Sequence, residues 1–395
     1  MTINSFYERT TLITSILILN NLILIAINIP NIFLKINLII FFILLLFFYF
    51  IKPKENLFLK IFFILILLIS LGTPTFEWDP RSIWLFHAKR IFYDGSIFSI
   101  VDNYASFSHN DYPNVVPALA SSLATLVGHW NEVFPKIAFT LMFFPPLLIS
   151  YIFFKDVKYL IFLCLVLFFI GKYLFTGWAD GLVAVYFGLS SLLMYFLVID
   201  ENNPYRKNKI YYLIASCFFI LLTLIKNEGF ALLFILFTST FLVNFYKKKL
   251  NKNLKNLIYL SSCFIPILLW KHFCYSNGIG NDYINTNIFT NLLPRISNYE
   301  NYYLIFYYLL LNEKFLFALT FFLIVFWIKN DNELFIFVFL NAFIYITTLF
   351  LIFLSTPLDF YFQLDSTATR VIKTLSFLLA FFGLHNINIT KQKLL

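Results

Sequence analysis

The stretch TTLITSILILNNLILIAINIPNIFL, residues 10–34, is mostly apolar and contains no charged residue. An α-helix needs roughly 20 apolar residues to cross the hydrocarbon core of a bilayer. At 25 residues, this stretch is longer than the apolar core of a cleaved signal peptide, and many similar stretches follow it. It therefore predicts a first membrane-spanning helix.

The composition of the whole chain agrees with this start. Of the 395 residues, 61% are hydrophobic and only 12% are charged. So few polar groups cannot cover a water-facing surface, and the bilayer must be the solvent. The four cysteines form neither a CxxC pair nor a disulfide framework. The composition excludes a soluble enzyme and indicates an all-α polytopic membrane protein.

Twelve apolar stretches are predicted to span the membrane. They are 11–29, 33–51, 57–73, 133–154, 159–175, 181–199, 210–225, 229–246, 256–272, 314–328, 334–355 and 371–388. Two further stretches, 113–128 and 301–311, are short or rich in small and polar residues, and we expect them to lie at the interface or to enter only part way. No repeat or flexible linker interrupts the chain, so residues 1–395 are predicted to form one membrane domain.

The distribution of charge predicts an orientation. With the N-terminus in the cytoplasm, 17 of the 29 basic residues lie inside and 13 of the 20 acidic residues lie outside, which satisfies the positive-inside rule. This placement explains the net charge of +9 without a nucleic-acid partner. We predict a multi-pass protein of the cell (inner) membrane with both termini cytoplasmic. Its outer, periplasmic loops would be 74–132, 273–313 and 356–370. The predicted inner bases include Lys52, Lys54, Lys391 and Lys393.

The longest outer loop begins with TPTFEWDPRSIWLFHAKRIFYDG, from Thr73 onward. Its first part brings together two acids, two tryptophans and an arginine, namely Glu77, Trp78, Asp79, Arg81 and Trp84. Pro80 suits the first turn of a helix, which makes Asp79 a natural N-cap. The apolar spacing that follows predicts a helix in the outer interface, with Lys89 on its polar side. From the residues alone, Asp79 is either a cap or a reactive acid, and the tryptophans are either an aromatic belt or a sugar-stacking surface.

Further charged residues are predicted at the same level of the membrane. They are Asp111 beside Tyr112, Asp180 in GWADG, Lys226 and Glu228 in KNEG, and Arg370 in LDSTATRVI. Each is unremarkable alone, because charges at helix ends reach the interface cheaply. Together they predict one outer cluster, in which acids accept a proton or order hydroxyl groups and bases bind a phosphate.

The ordered set WDPRSIWLFHAKRIFYDG, DYPNVVPAL, GWADG, KNEG and LDSTATRVI resembles the polyprenyl-phosphate-sugar-dependent glycosyltransferases of the GT-C superfamily. That group includes protein mannosyltransferase-like and lipopolysaccharide-modifying enzymes. The resemblance covers most of the chain from residue 73 onward. It implies a GT-C-like fold and an inverting transfer of a hexosyl or pentosyl group from a polyprenyl-phosphate donor to an acceptor hydroxyl. Three spans precede the acidic loop and no long C-terminal outer region follows, which favours a glycan or lipid acceptor over a protein.

The resemblance also implies roles for individual residues. Asp79 matches the acid of the first large outer loop that is taken as the catalytic base, with Glu77 as the near alternative. Tyr112 matches a tyrosine–proline stretch, and Lys226 and Arg370 match bases that bind the donor phosphate. The other expected substrate-binding residues are Trp78, Arg81, Trp84, Lys89, Asp111, Asp180 and Glu228. A divalent ion is compatible with the acids, but their spacing matches no metal motif, and no metal or other cofactor is predicted.

Two other classes of protein stay open. A transporter or lipid flippase would carry ionisable residues near the bilayer midplane and matching halves, whereas most charges here lie at the ends of predicted spans. A glycan polymerase or ligase would act on a pyrophosphate-linked oligosaccharide and use several outer arginines. Only Arg81, Arg90, Arg295 and Arg370 are predicted to be outside.

Overall fold

The structure, a computed structural model, describes residues 3–51, 56–102, 104–280 and 288–387. Within these ranges the chain is helical and contains no strand. The predicted inner bases Lys52, Lys54, Lys391 and Lys393 lie outside the described residues. The prediction of an all-α polytopic protein with several apolar helices is confirmed.

Eighteen α-helices are present in the described part of the chain. They are α1 (Ile3–Ala26), α2 (Asn31–Phe50), α3 (Leu57–Gly72), α4 (Leu85–Asp94), α5 (Val115–Val127), α6 (Ile137–Met142), α7 (Phe144–Phe154), α8 (Asp156–Ile170), α9 (Asp180–Met194), α10 (Lys209–Ile225), α11 (Asn227–Tyr246), α12 (Leu250–Ser261), α13 (Ile265–Ser276), α14 (Ile288–Ile296), α15 (Tyr299–Leu310), α16 (Glu313–Lys329), α17 (Asn332–Ser355) and α18 (Phe360–Asn386). A π-helical turn, Pro80–Trp84, leads into α4.

Nine helical segments among the described residues are long and apolar enough to cross a bilayer. They are Ser5–Ala26, Asn31–Phe50, Ile137–Phe154, Asp156–Leu174, Asp180–Ile199, Asn227–Tyr246, Leu250–Ser276, Asn332–Ser355 and Phe360–Asn386. A tenth is added if α15 and α16, which meet at 69°, form one broken span. The two remaining predicted spans, 57–73 and 210–225, correspond to the shorter apolar helices α3 and α10, of 16 and 17 residues.

The centre of the bundle is the packing of α9 against α18. Every residue of Asp180–Ile199 is buried. At Gly188, a Cβ atom would lie 2.7 Å from the ring of Phe381, so glycine allows the aromatic side chain of α18 to touch the backbone of α9. This close packing places the first turn of α9 beside the first half of α18.

The loops between helices meet in two groups. Lys249 pairs with Glu333 at 2.9 Å, and Lys252 pairs with Glu201. These pairs join the turn after α9, the start of α12 and the start of α17 at what we call the basic end. The opposite end, called the site end, contains the segment after α3, the start of α9, the α10–α11 turn and the start of α18. The grouping agrees with the predicted alternation of spans, and the side of the membrane on which each end lies stays a prediction.

Helix α5 corresponds to the predicted short stretch 113–128. It is packed inside the protein, because Val115–Ala124 are all buried, and it contacts α1, α2, α4 and α10. Helix α4 is amphipathic, as its sequence predicts, with Leu85, His87, Ala88 and Ile91 buried. The Nε2 atom of His87 is 2.9 Å from the carbonyl oxygen of Ser108. The predicted outer loop 74–132 therefore contains helices that pack against the rest of the protein.

Candidate functional site

The site is built around Asp180, the first residue of α9. Its Oδ1 atom accepts a hydrogen bond from Lys226 Nζ at 3.0 Å, and its Oδ2 atom accepts one from Arg370 Nη2 at 2.9 Å. Arg370 also binds Asp79 at 2.5 Å, and Lys226 binds Glu228 at 2.8 Å. Five predicted site residues thus form one ionic network. Because they come from four separate segments of the chain, folding and not sequence proximity brings them together.

Local structure explains how two members are held. A carboxylate in the first turn of a helix is stabilised by the helix dipole, which favours Asp180 at the start of α9. Lys226 is extended, with φ −158° and ψ 155°, and separates α10 from α11. The turn is closed by a hydrogen bond from Gly229 N to Lys226 O at 2.9 Å. A Cβ atom at Gly229 would collide with the Leu222 carbonyl group, so this tight turn requires glycine.

Aromatic rings cover both cations. The guanidinium carbon of Arg370 lies 4.1 Å from the ring centroid of Trp178, and Lys226 Nζ lies 5.9 Å from that of Tyr112. The ring of Tyr112 stacks on His109 at 4.8 Å and packs against Trp84 at 5.7 Å. Cation–π contacts of this kind stabilise a partly desolvated cation. The rings therefore restrict the positions of both bases.

Asp79 lies in the first turn of the helix that continues through the π-turn. The prediction that Asp79 is an N-cap is wrong, because its side chain makes no capping hydrogen bond among the described residues and its backbone is already helical, with φ −56° and ψ −49°. The carboxylate binds Arg370 instead. Burial raises the pKa of Asp79 above its ordinary value, and the charges of Arg370 and Lys226 offset part of that rise.

Lys226 stays charged despite its burial. Burial alone would lower the pKa of its ammonium group, but the carboxylates of Asp180 and Glu228 raise that pKa well above the ordinary value. Lys226 is 5% exposed, so its charge is compensated almost entirely by protein groups. An anionic ligand can therefore bind Lys226 only by competing with the carboxylates of Asp180 and Glu228.

Asp111 forms a second, adjoining cluster. Its Oδ2 atom accepts hydrogen bonds from Asn227 Nδ2 at 2.6 Å and from Lys271 Nζ at 3.1 Å. Its carbonyl oxygen accepts one from Trp270 Nε1 at 2.9 Å. Asn227 follows Lys226 directly, so the Asp111 cluster and the ionic network share one turn. Asp111 is thus close to the network without belonging to it.

The remaining predicted site residues lie outside the ionic network. Glu77 pairs with Lys172 at 2.5 Å. Trp78 is half-exposed and its ring lies edge-on to His109, whereas Trp84 is buried. Arg81 and Lys89 line a separate cleft of about 460 Å³. The structure therefore brings Asp79, and not Glu77, to the predicted bases.

A cavity of about 330 Å³ opens beside the network, between α11, α17 and α18. Its polar end is formed by Tyr112, Asn227 and Glu228. The other lining residues are mostly apolar or hydroxyl-bearing, namely Ala231, Ile235, Tyr345, Thr348, Leu349, Ile352, Phe353, Ser355, Thr356, Gln363, Thr367 and Val371. An apolar cavity that ends at charged groups suits an amphiphilic ligand.

Some residues of the site were missed from the sequence. Trp178, Asn227 and Lys271 contact the network or the Asp111 cluster. Lys271 could have been predicted, since it is a charged residue at the end of the predicted span 256–272. Asn227 is adjacent to Lys226 and Trp178 is two residues before Asp180, but an uncharged side chain near the interface has no distinctive pattern of its own.

Comparison of the chain with protein-family models, with curated protein sequences and with solved structures gave no match. Within residues 3–51, 56–102, 104–280 and 288–387, no group of three or more His, Cys, Asp or Glu side chains is arranged to hold a metal ion.

Proposed function

We propose that the chain is an inverting glycosyltransferase of the GT-C type. It would transfer a sugar from a polyprenyl-phosphate donor to a hydroxyl group of a glycan or lipid acceptor, at the outer face of the cell membrane. In this proposal the chain crosses the membrane twelve times, and α3, α10 and the α15–α16 pair count as spans. The observation that carries the proposal is one network in which a partly buried carboxylate, Asp79, shares the base Arg370 with the buried Asp180.

The proposed reaction is a single displacement. The acceptor oxygen attacks the anomeric carbon, its proton passes to Asp79, and the bond from that carbon to the phosphate oxygen breaks. Polyprenyl phosphate leaves, and Arg370 and Lys226 stabilise the charge that develops on it. A carboxylate can act as the base because an oxocarbenium-like transition state makes the attacking hydroxyl acidic. One displacement inverts the anomeric centre.

The ion pairs add a coupling between donor and base. Arg370 binds Asp79 and Asp180 at once. A donor phosphate that recruits Arg370 would weaken the bond between Arg370 and Asp79, and the freed carboxylate would then accept a proton. Asp180 would keep Arg370 in place during this exchange. The cavity beside Glu228 supports the same proposal, since its apolar wall suits the start of a lipid tail.

A flippase or transporter of a lipid-linked solute is the second candidate. The observation that favours it is the ion pair between the buried Asp180 and the partly buried Arg370, which both lie within segments long enough to span the membrane. Buried charges of this kind occur in transport pathways. A transporter would move the labelled lipid without transferring its sugar, so the experiment below distinguishes the two candidates.

The test is Asp79→Asn in membranes supplied with radiolabelled polyprenyl-phosphate sugars. We expect transfer to fall by about 100-fold or more, because general-base catalysis contributes roughly 10²–10⁴-fold. The matched control is Asp365→Asn, which removes an exposed carboxylate of α18 outside the network and should leave transfer unchanged. Transfer at the wild-type rate in Asp79→Asn membranes would exclude Asp79 as the base.

A further inference from the structure

We infer that Asn227 and Glu228 bind the hydroxyl groups of the sugar ring of a lipid-linked glycoside, at the polar end of the cavity. This inference rests on the proposed function and makes it more specific. It assigns sugar recognition to two oxygen atoms beside the phosphate-binding bases, and it defines the ligand as rich in hydrogen-bond donors.

The orientation of the Asn227 amide is set by its neighbour. A carboxylate accepts hydrogen bonds and donates none, so the atom that lies 2.6 Å from Asp111 Oδ2 must be Asn227 Nδ2. The carbonyl atom Oδ1 therefore cannot face Asp111. It is buried and has no hydrogen-bond partner within the part of the chain that the structure describes. Asn227 lines the cavity, so this acceptor is available to a ligand there.

Glu228, the next residue, likewise has one side-chain atom held by a neighbour and one acceptor oxygen that lacks a partner among the described residues. Its Oε1 atom binds Lys226 at 2.8 Å, which holds the carboxylate at the mouth of the network. Its Oε2 atom is buried and lacks a hydrogen-bond partner among the described residues. Buried polar atoms normally have partners. Two adjacent acceptors without donors, both in the lining of one cavity, therefore indicate a ligand that supplies donors.

The opposite wall also presents acceptors. The hydroxyl groups of Thr348 and Thr367 donate to backbone carbonyl groups at 2.8 and 2.6 Å. Since each hydroxyl has one hydrogen, these oxygens can only accept a further bond. A metal cation is disfavoured because the ammonium group of Lys226 already lies on the same carboxylate. A sugar ring meets the requirement, since its hydroxyl groups donate and its attached lipid can follow the apolar lining.

The experiment measures binding to the full chain in lipid nanodiscs. The probes are farnesyl phosphate and its mannosyl and glucosyl esters, and the quantity of interest is the ratio of the Kd without sugar to the Kd with sugar. We expect at least one sugar to give a ratio of about 10 or more in the wild type, since one net hydrogen bond to a charged group contributes roughly that factor. Taking the ratio removes any change in phosphate binding that both probes share.

Glu228→Leu and Asn227→Leu should lower this ratio to near 1 while farnesyl phosphate still binds. Glu228→Gln keeps the shape of the side chain and tests the idea if a leucine variant does not fold; a lowered ratio supports the inference. Glu313→Gln, which removes an exposed acid at the start of α16, is the control and should keep the wild-type ratio.

Two failures are distinguishable. If both probes bind and the ratio is the same in the wild type and in all variants of Asn227 and Glu228, the inference is overturned and the proposed donor site stands. If neither farnesyl phosphate nor its sugar esters bind the wild type, the lipid-phosphate site is wrong, and the inference falls with it.

Discussion

Arg370 is the residue on which both halves of the ionic network depend. Its guanidinium group binds Asp79 from the segment after α3 and Asp180 from α9, and its face lies on Trp178. A lysine could not make these contacts at once, because its ammonium group is a compact charge without a planar face. The two carboxylates and the ring together hold the guanidinium group in a fixed position.

The pH dependence of transfer tests the environment of Asp79. Burial raises the pKa of Asp79, and a base acts only when it is deprotonated. Activity should therefore rise with pH through a value above the ordinary aspartate pKa of about 3.9. Measured as kcat/KM, which reports the free enzyme, this acid limb should disappear from the residual activity of Asp79→Asn. An acid limb at or below the ordinary value would contradict the buried environment.

The sequence identified charged residues of the site better than it identified their partners. Asp79, Asp180, Lys226, Glu228 and Arg370 were all expected in one cluster, because charges are rare in this chain and were predicted at one membrane level. The pairing of Asp79 with Arg370 joins positions that are 291 residues apart. No local pattern predicts such a contact, and capping was the simpler interpretation of an aspartate before proline.

At the scale of elements, glycine determines how the segment with Asp79 is placed. Gly177 has φ +92°, and a Cβ atom there would lie 3.2 Å from Pro80 Cβ and 3.5 Å from Lys136 Cγ. Pro80 directly follows Asp79, so the loop before α9 supports the turn that carries the carboxylate. Lys136, which is fully buried, donates a hydrogen bond to the carbonyl group of Thr73 and ties the same segment to the start of α6.

Gly177→Ala should therefore reduce both stability and transfer. The positive φ costs a residue with a side chain about 1–2 kcal/mol, and the added methyl group must push Pro80 away. Gly128→Ala is the matched control, because Gly128 has φ +90° but open space around its missing Cβ. Thermal melts should show both variants destabilised, while transfer falls only in Gly177→Ala. Equal activity in the two variants would mean that the position of Pro80 does not affect the site.

The elements themselves were largely predictable, for a physical reason. Long apolar stretches can satisfy their backbone in a bilayer only as helices, so most predicted spans appear as helices within a few residues of the expected bounds. The bend of 69° between α15 and α16 and the burial of α5 depend on neighbouring helices. Local composition contains no information on those neighbours.

At the scale of the whole molecule, the two ends of the bundle differ in chemistry. The basic end joins loops through the Glu201, Lys249 and Glu333 contacts, whereas the site end holds buried acids with their bases. This division follows from alternating antiparallel helices, which is why counting charges by loop predicted it. The same count predicts that the basic end faces the cytoplasm, where anionic lipids attract lysine and arginine.

Cysteine labelling in right-side-out vesicles tests that orientation. Tyr93 is 67% exposed on α4 near the site end, and Asn202 is exposed in the turn after α9 at the basic end. A membrane-impermeant maleimide should label Tyr93→Cys at once and Asn202→Cys only after permeabilisation. The unsubstituted chain is the control and should label weakly, since Cys217, Cys263 and Cys274 are buried and Cys164 lies within the apolar helix α8, where the bilayer would shield it from an impermeant reagent. The reverse pattern would place the acid–base network on the cytoplasmic side, where the proposed donor would have to present its sugar from the inner leaflet.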